Sequence, residues 1–334
     1  MAHVSSSEGH RFTVVPSLIA DVGATNARFA LLGADGGFQR VRVLACEDYD
    51  SIHGAIAAYL DDELQLAYLQ RVEAAALAIA GPVADDQVTL TNHPWSFSIA
   101  QLQQHLAVDR LLVINDFAAV AGAIPHLKPD ELDQIGGGTA LAGAPIGVIG
   151  PGSGLGISGL VPTADGWVPL SGEGGHATMA AATARESAVL DHMRARFDHV
   201  SAERVLSGPG LIDLYKTLAE IDGVPAVSYT SAQITDPGIG EREPRCREAV
   251  DMFCAMLGTV AGNLALTLGA RRGIYIAGGI VPKLGAAFAA SSFRERFEDK
   301  GRLRPYLARI PTYVVIHPFP AFVGLAALLA GPVR

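Results

Sequence analysis

Cysteine and charge are what this sequence has little of. Three cysteines in 334 residues, Cys46, Cys246 and Cys254, form an odd set without CxxC spacing. That excludes a disulfide framework and a zinc ribbon and fits a reducing, cytoplasmic setting. Charged residues are 18 % of the chain and the net charge is −9, so a nucleic-acid partner, which calls for a basic surface, is not expected. No uncharged apolar run with clean flanks reaches the roughly 18 residues of a membrane span. The start, MAHVSSSEGHRFTVVPSLIA, lacks the basic stretch and apolar core of a signal peptide. Neither a membrane nor secretion is therefore expected. There is no HExxH helix and no Gly-Lys-Ser/Thr after any glycine loop, which sets aside a zinc protease and a Walker-type nucleotide site.

Apolar side chains and glycine are plentiful. Hydrophobic residues make up 49 % and glycines number 37. A chain of this length and composition predicts two globular domains. Alternation and apolar runs predict strands over Val14–Ala20, Arg28–Leu32, Arg40–Cys46, Val72–Ala80, Gln87–Thr91 and Leu111–Ile114. Helical spacing appears over Ser51–Leu69, after Ser98 to Leu106, and from Asp116 to Pro125. Hairpin strands mixed with crossovers predict an α/β fold. The Pro-, Gly- and Asp-rich stretch Pro125–Gly143 marks the domain boundary. Beyond it, strands are predicted at Ile146–Ile149, Gly273–Ala277 and Thr312–Ile316. Helices are predicted at Glu186–Phe197, from Ser201, at Pro244–Leu268 and at Ala321–Ala330. Strand, glycine turn, strand occurs at 14–32 and again at 146–161.

Four stretches carry residues suited to chemistry. DVGATNAR places Asp21 beside a turn of Gly23, Ala24, Thr25 and Asn26, whose backbone amides suit phosphate oxygens. GPGSGLG repeats the arrangement with Gly152, Ser153 and Gly154. Its GxGxxG match opens a strand-and-turn segment, whereas a dinucleotide fingerprint must open a helix. Two glycine turns, each after a strand, suit a triphosphate, and Asp21 suits a Mg2+ ion held through water. In LLVINDFAAVA, Asn115 and Asp116 end an apolar strand, where open α/β sheets place their ligands. Asp116 also fits by type as the N-cap of the helix that follows. Glu173 and His176 lie in GEGGH, a loop too rich in glycine for a helix, and Glu203 follows Ser201 in the first turn of a predicted helix. Asn115, Asp116, Glu173, His176 and Glu203 together suit a polyhydroxyl ligand, and Asp116 is the natural base for a phosphoryl transfer.

At these residues the chain resembles bacterial glucokinases of the enteric type, ATP-dependent hexose kinases of the actin/hexokinase superfamily. DVGATNARFAL, TNHPWSFSI, INDFAAVAGAIP, GSGLGIS, SGEGGH, HVSAERVLSGPGL, IAGGIVP and FEDKGR carry the resemblance, which spans nearly everything after about residue 17. It implies a two-domain actin-like, hexokinase-like α/β fold with a cleft between a small and a large domain, the last helix returning to the small one, so that the domains are 1–126 plus 317–334 and 127–316. It implies Asp116 as catalytic base and Asn115, Glu173, His176 and Glu203 as holders of glucose hydroxyls. The two glycine turns become phosphate segments, Gly278 and Gly279 an adenosine segment, and ATP with Mg2+ the phosphoryl donor. The resemblance also implies a cytosolic homodimer. Three features depart from the family pattern. Ala24 stands where many relatives have glycine, Ser153 replaces a common threonine, and 222–242 is divergent. No cysteine-rich motif follows His176, so no structural zinc is expected. Two other readings share the residues: a non-catalytic glucose sensor on this fold, and a kinase for another hexose such as mannose or N-acetylmannosamine.

Overall fold

The computed structural model of the chain describes residues 15–66 and 71–331. The described chain divides into two compact units: one runs to His126 and resumes at Phe319, and the other is Leu127–Pro318.

The first unit is built on a five-stranded sheet. Its strands are β1 (Ser17–Val22), β2 (Asn26–Leu32), β3 (Phe38–Ala45), β4 (Ala74–Ile79) and, after a small β5–β6 ladder (Gln87–Thr89 with Ser96–Ser98), β7 (Arg110–Asn115). The order is β3-β2-β1-β4-β7, with antiparallel pairing on the β3 side and parallel pairing on the β7 side. Helices α1 (Ile52–Leu66) and α2 (Ile99–Leu106) lie in the connections that lead to β4 and β7, and α3 (Asp116–Ala123) follows β7 directly. Ser98 caps α2 through the Gln101 amide, as its position predicts. Residues 14 and 67–69 of the expected elements lie outside the described residues. The parallel register sets Val22 beside Ile79 and Ile79 beside Asn115. The first turn, Gly81 and Asp116 therefore leave one end of this sheet.

The second unit repeats the plan. Its sheet has the order β11-β10-β9-β12-β13-β8, from β8 (Leu132–Ile135), β9 (Ile146–Pro151), β10 (Leu155–Thr163), β11 (Gly166–Gly172), β12 (Gly273–Ile276) and β13 (Thr312–Val315). Five of these strands reproduce the first sheet's order and directions, so the local echo in the sequence extends to a whole sheet. Strand β8 was not expected. Its run LDQI is too short and polar to signal a strand, and pairing with β13 creates it. The longer helices here are α4 (Ala184–Arg194), α5 (Gly208–Ile221), α6 (Pro244–Leu268) and α7 (Phe293–Glu298). Gly269, with φ of 61°, ends α6 in the left-handed conformation that glycine adopts without penalty. By length and composition α6 alone among the described helices could cross a membrane. Yet 67 % of its apolar window is buried inside the protein, and it serves as a core helix.

Two contacts govern stability. The last helix, α8 (Pro320–Ala330), crosses α3 so closely that a Cβ on Gly324 would run into the Ala119 carbonyl. In the second unit, Glu186 is 3 % exposed and bonds both carboxylate oxygens to Arg296, at 2.6 and 3.2 Å, with the Ala182 amide as a further donor. Burial pushes the pKa of this carboxyl up, but Arg296 and the backbone amides more than offset it, leaving the group below the ordinary 4.5.

Two outcomes are expected. Glu186→Gln leaves Arg296 without its charge partner and costs about 3 kcal/mol in urea unfolding. Because the folded pKa is depressed, the parent's advantage holds above pH 4.5 and closes as pH falls through the folded value. Gly324→Ala forces α8 off α3, lowering stability by about 1–3 kcal/mol. Thermal melts of this variant beside the parent check the loss.

Candidate active site

The junction INDF answers why a carboxylate follows an apolar strand. Asn115 is the buried residue of the pair, and Asp116 is only half-buried. Asn115 is also the cap of α3: its Oδ1 accepts from the Phe117 and Ala118 amides at 2.9 and 3.1 Å. Capping by Asp116, which residue type had suggested, gives way to this. Asp116 is the first helical residue, and its Oδ1 accepts from the Phe117 amide at 2.8 Å. The Asn115 Nδ2 donates to the Gly81 carbonyl at 3.2 Å, tying the end of β7 to the end of β4. An amide nitrogen carries two hydrogens, so one remains for a ligand.

The first glycine turn leaves the same end of the sheet. It closes through the Gly23 amide on the Asn26 carbonyl at 3.0 Å, and the Thr25 carbonyl accepts from Cys46. Ala24 has no positive φ, so its methyl is unstrained where relatives carry glycine. Asp21 faces Arg28 across the hairpin, with Arg28 Nη1 3.0 Å from Asp21 Oδ2. Burial raises the Asp21 pKa by more than Arg28 lowers it. The role of Arg28 was missed, although a cross-strand partner seven residues on is what a tight hairpin dictates.

In the second unit Glu203 holds three segments together. Its Oε2 accepts from the Leu155 amide at 2.8 Å, at the end of the second glycine turn. Its own amide donates to the Gly175 carbonyl at 2.9 Å, inside GEGGH, and its Oε1 lies 4.0 Å from His176 Nε2. The expected helix from Ser201 is absent. Residues 201–206 form turns, and the helix starts at Gly208 with Ser207 as cap, because the Ser207 hydroxyl accepts from Gly210. Glu203 is therefore placed by the Leu155 and Gly175 bonds, and a helix dipole does not explain it. The GEGGH loop holds one 3-10 turn, Gly174–His176, and Glu173 bridges to Ile157.

The glycines of this cluster are required by contact. A Cβ on Gly154 would strike Glu203 Oε2, and one on Gly175 would strike the Leu155 carbonyl. Gly278 has φ of 83° and lies against Pro151, so the segment expected to hold adenosine packs on the start of the second glycine turn, with Gly279 open beside it. Gly152 is open too, and its carbonyl accepts from the Gly208 amide at 2.8 Å. Ser153 lies between them in the same turn. Among the described residues, no group of three or more His, Cys, Asp or Glu could hold a metal ion.

Comparison with known proteins gives the family. The family model described as Glucokinase matches residues 18–331. The chain belongs to the glucokinase family. The glucokinase of Paramagnetospirillum magneticum is 54 % identical over 316 residues, covering 94 % of this chain and 98 % of that one. The crystal structure of glucokinase from an Antarctic psychrotroph is 37 % identical, with a TM-score of 0.81 over 95 % of this chain and 99 % of that one. A ROK family glucokinase from Streptomyces griseus, solved with glucose and AMPPNP, shares the fold at 17 % identity and a TM-score of 0.64, over 94 % of this chain and 98 % of that one.

Replacing Asn115 separates its two roles. Asn115→Ala removes the α3 cap and the Gly81 bond, with an expected loss of about 1–2 kcal/mol in chemical denaturation. Asn115→Asp keeps the capping acceptor but turns a carboxylate oxygen toward the Gly81 carbonyl, so it recovers only part of that stability near pH 7.

Proposed function

We propose that the chain transfers the γ-phosphoryl group of ATP to the 6-hydroxyl of D-glucose, with Asp116 as general base. The observation that carries this is the placement of Asp116. It stands at the carboxyl end of a parallel strand, in the first turn of α3, behind a capping asparagine. The chain's membership of the glucokinase family supports the same reading. Asp116 accepts the hydroxyl proton as the oxygen attacks phosphorus. Asn115, Glu173, His176 and Glu203 hold the remaining hydroxyls. The Glu203 carboxylate can do so with Oε1, since Oε2 is bonded to Leu155.

The turns at Gly23–Asn26 and Gly152–Gly154 offer backbone amides to the phosphates, and Gly278 and Gly279 leave room for the nucleoside. Mg2+ bound with ATP would draw off phosphate charge. A single carboxylate, Asp21, already paired with Arg28, suits contact with that ion through water. A cytoplasmic homodimer is the state that goes with this reading.

The deciding experiment is a coupled assay with glucose, ATP and magnesium, run on the parent and on Asp116→Asn. Turnover in the parent should fall by about 10²–10⁴ in the variant, the size of a lost general base, with glucose affinity by calorimetry kept. Equal turnover in the two proteins overturns the role of Asp116. Glucose binding without turnover in either favours the glucose-sensing reading.

A further inference from the structure

The stretch 222–242, which departs from the family pattern, has no part in the transfer described above. The fold nevertheless brings one of its residues, Ser231, to the second glycine turn. The stretch is fastened to α5. The Val227 amide donates to the Tyr215 hydroxyl at 3.0 Å, and the Tyr229 ring packs on the buried Tyr215 ring with centroids 5.5 Å apart. Thr230 then caps the one-turn helix Ser231–Ile234 in a reciprocal box with Gln233. Ser231 is thereby fixed as the first residue of that turn.

Its neighbours are glycines. The Gly208 amide donates to the Gly152 carbonyl at 2.8 Å, so the start of α5 abuts the turn. A Cβ on Gly208 would lie 3.5 Å from the Gly152 carbonyl oxygen and 3.5 Å from Ser231 Oγ, so these groups converge on one spot. The Gly278 segment reaches the same turn through Pro151, whose carbonyl accepts from the Ile280 amide at 3.4 Å. A Cβ on Gly152 or Gly279 would meet no atom within 4 Å. The turn is thus flanked by two segments, Gly278–Gly279 and Gly208 with Ser231, and the space over its glycines is open. Ser231 is partly buried, and its hydroxyl has no partner among the described residues. A hydroxyl can donate one hydrogen bond and accept two.

We infer that Ser231 is a specificity residue for the nucleotide: its Oγ donates to an oxygen of the ribose–α-phosphate portion of ATP, which passes over Gly208. The inference rests on the nucleotide role given above to the Gly152–Gly154 turn and to Gly278 and Gly279. It assigns part of the nucleotide site to the divergent stretch, so nucleotide preference is set by residues other than those that hold the sugar. It also gives Gly208 a reason to be glycine that the fold does not supply. Its φ lies outside the left-handed region, and a Cβ there would meet its neighbours at ordinary contact distance. The fold by itself admits alanine at 208; a bound nucleotide does not.

The test is calorimetric titration of the full chain with ATP and magnesium in the absence of glucose, and with glucose alone, beside steady-state rates. Ser231→Ala should weaken ATP by roughly threefold to tenfold, the range for one lost hydrogen bond, and raise the KM for ATP in step, with glucose affinity unchanged. Ser231→Thr, which keeps the hydroxyl, should recover ATP affinity. Gly208→Ala should melt at the parent's temperature yet bind ATP severalfold more weakly, a split that a packing role would not produce. Repeating the titrations with 2′-deoxy-ATP locates the bond: a Ser231→Ala penalty that disappears puts it on the 2′-hydroxyl, and one that persists puts it on the 3′-hydroxyl or the α-phosphate. Parental ATP affinity in Ser231→Ala, or an equal loss of glucose affinity in it, overturns the inference. A parent that binds glucose but not ATP overturns the nucleotide reading of the glycine turns as well.

Discussion

The side chain of Asn115 is the constraint on which the first unit depends. It joins β4, β7 and α3 through one amide, with Oδ1 on two helix amides and Nδ2 on the Gly81 carbonyl. The amide is buried, so each bond counts for more than it would at the surface. This geometry gives Asp116 its position: first residue of a helix, half-exposed, at the end of a sheet whose neighbouring strands deliver the first glycine turn to the same side. The close approach of α8 at Gly324 presses α3 from the other side. The carboxylate is thus held by packing several residues away from it.

Glu203 does the equivalent work in the second unit. A residue whose carboxylate accepts from Leu155 and whose own amide donates to Gly175 is tied to both the second glycine turn and GEGGH. This coupling explains the glycines better than flexibility does. At 154 and 175 the ordinary backbone conformation would admit another residue, but Glu203 and the Leu155 carbonyl occupy the space of a side chain. At 278 both reasons apply, a positive φ and contact with Pro151. Groups proposed to grip sugar and nucleotide therefore share one hydrogen-bonded knot.

The two sheets share an order and a set of strand directions, and each sends a glycine turn from the end of its first parallel strand. A hairpin followed by right-handed crossovers places such a turn beside the carboxyl ends of the neighbouring strands, where polar backbone is left without ladder partners. The two units use that end differently. The first adds Asn115 and Asp116 on β7 and α3; the second adds GEGGH, the Glu203 turn and the Gly278 segment.

Much of this was legible in the residues. Apolar runs and glycine punctuation located nearly every strand of the two sheets, since burial and tight turns are local demands on composition. Ser98 and Gly269 bound their helices where their side chains, or the lack of one, require. The resemblance supplied Asn115, Asp116, Glu173, His176 and Glu203 as a set. Tertiary structure decided what each of them does to its neighbours. Capping passed from Asp116 to Asn115 because the Asn115 side chain points back over α3 while the chain turns out of β7. At Ser201, where a helix is expected, the chain forms turns whose Ala202 and Glu203 amides donate to the Ala177 and Gly175 carbonyls. Strand β8 exists only because β13 offers an edge. In each case the deciding partner lies far along the chain or across a strand, and local composition carries no record of which distant carbonyl, amide or edge will be there.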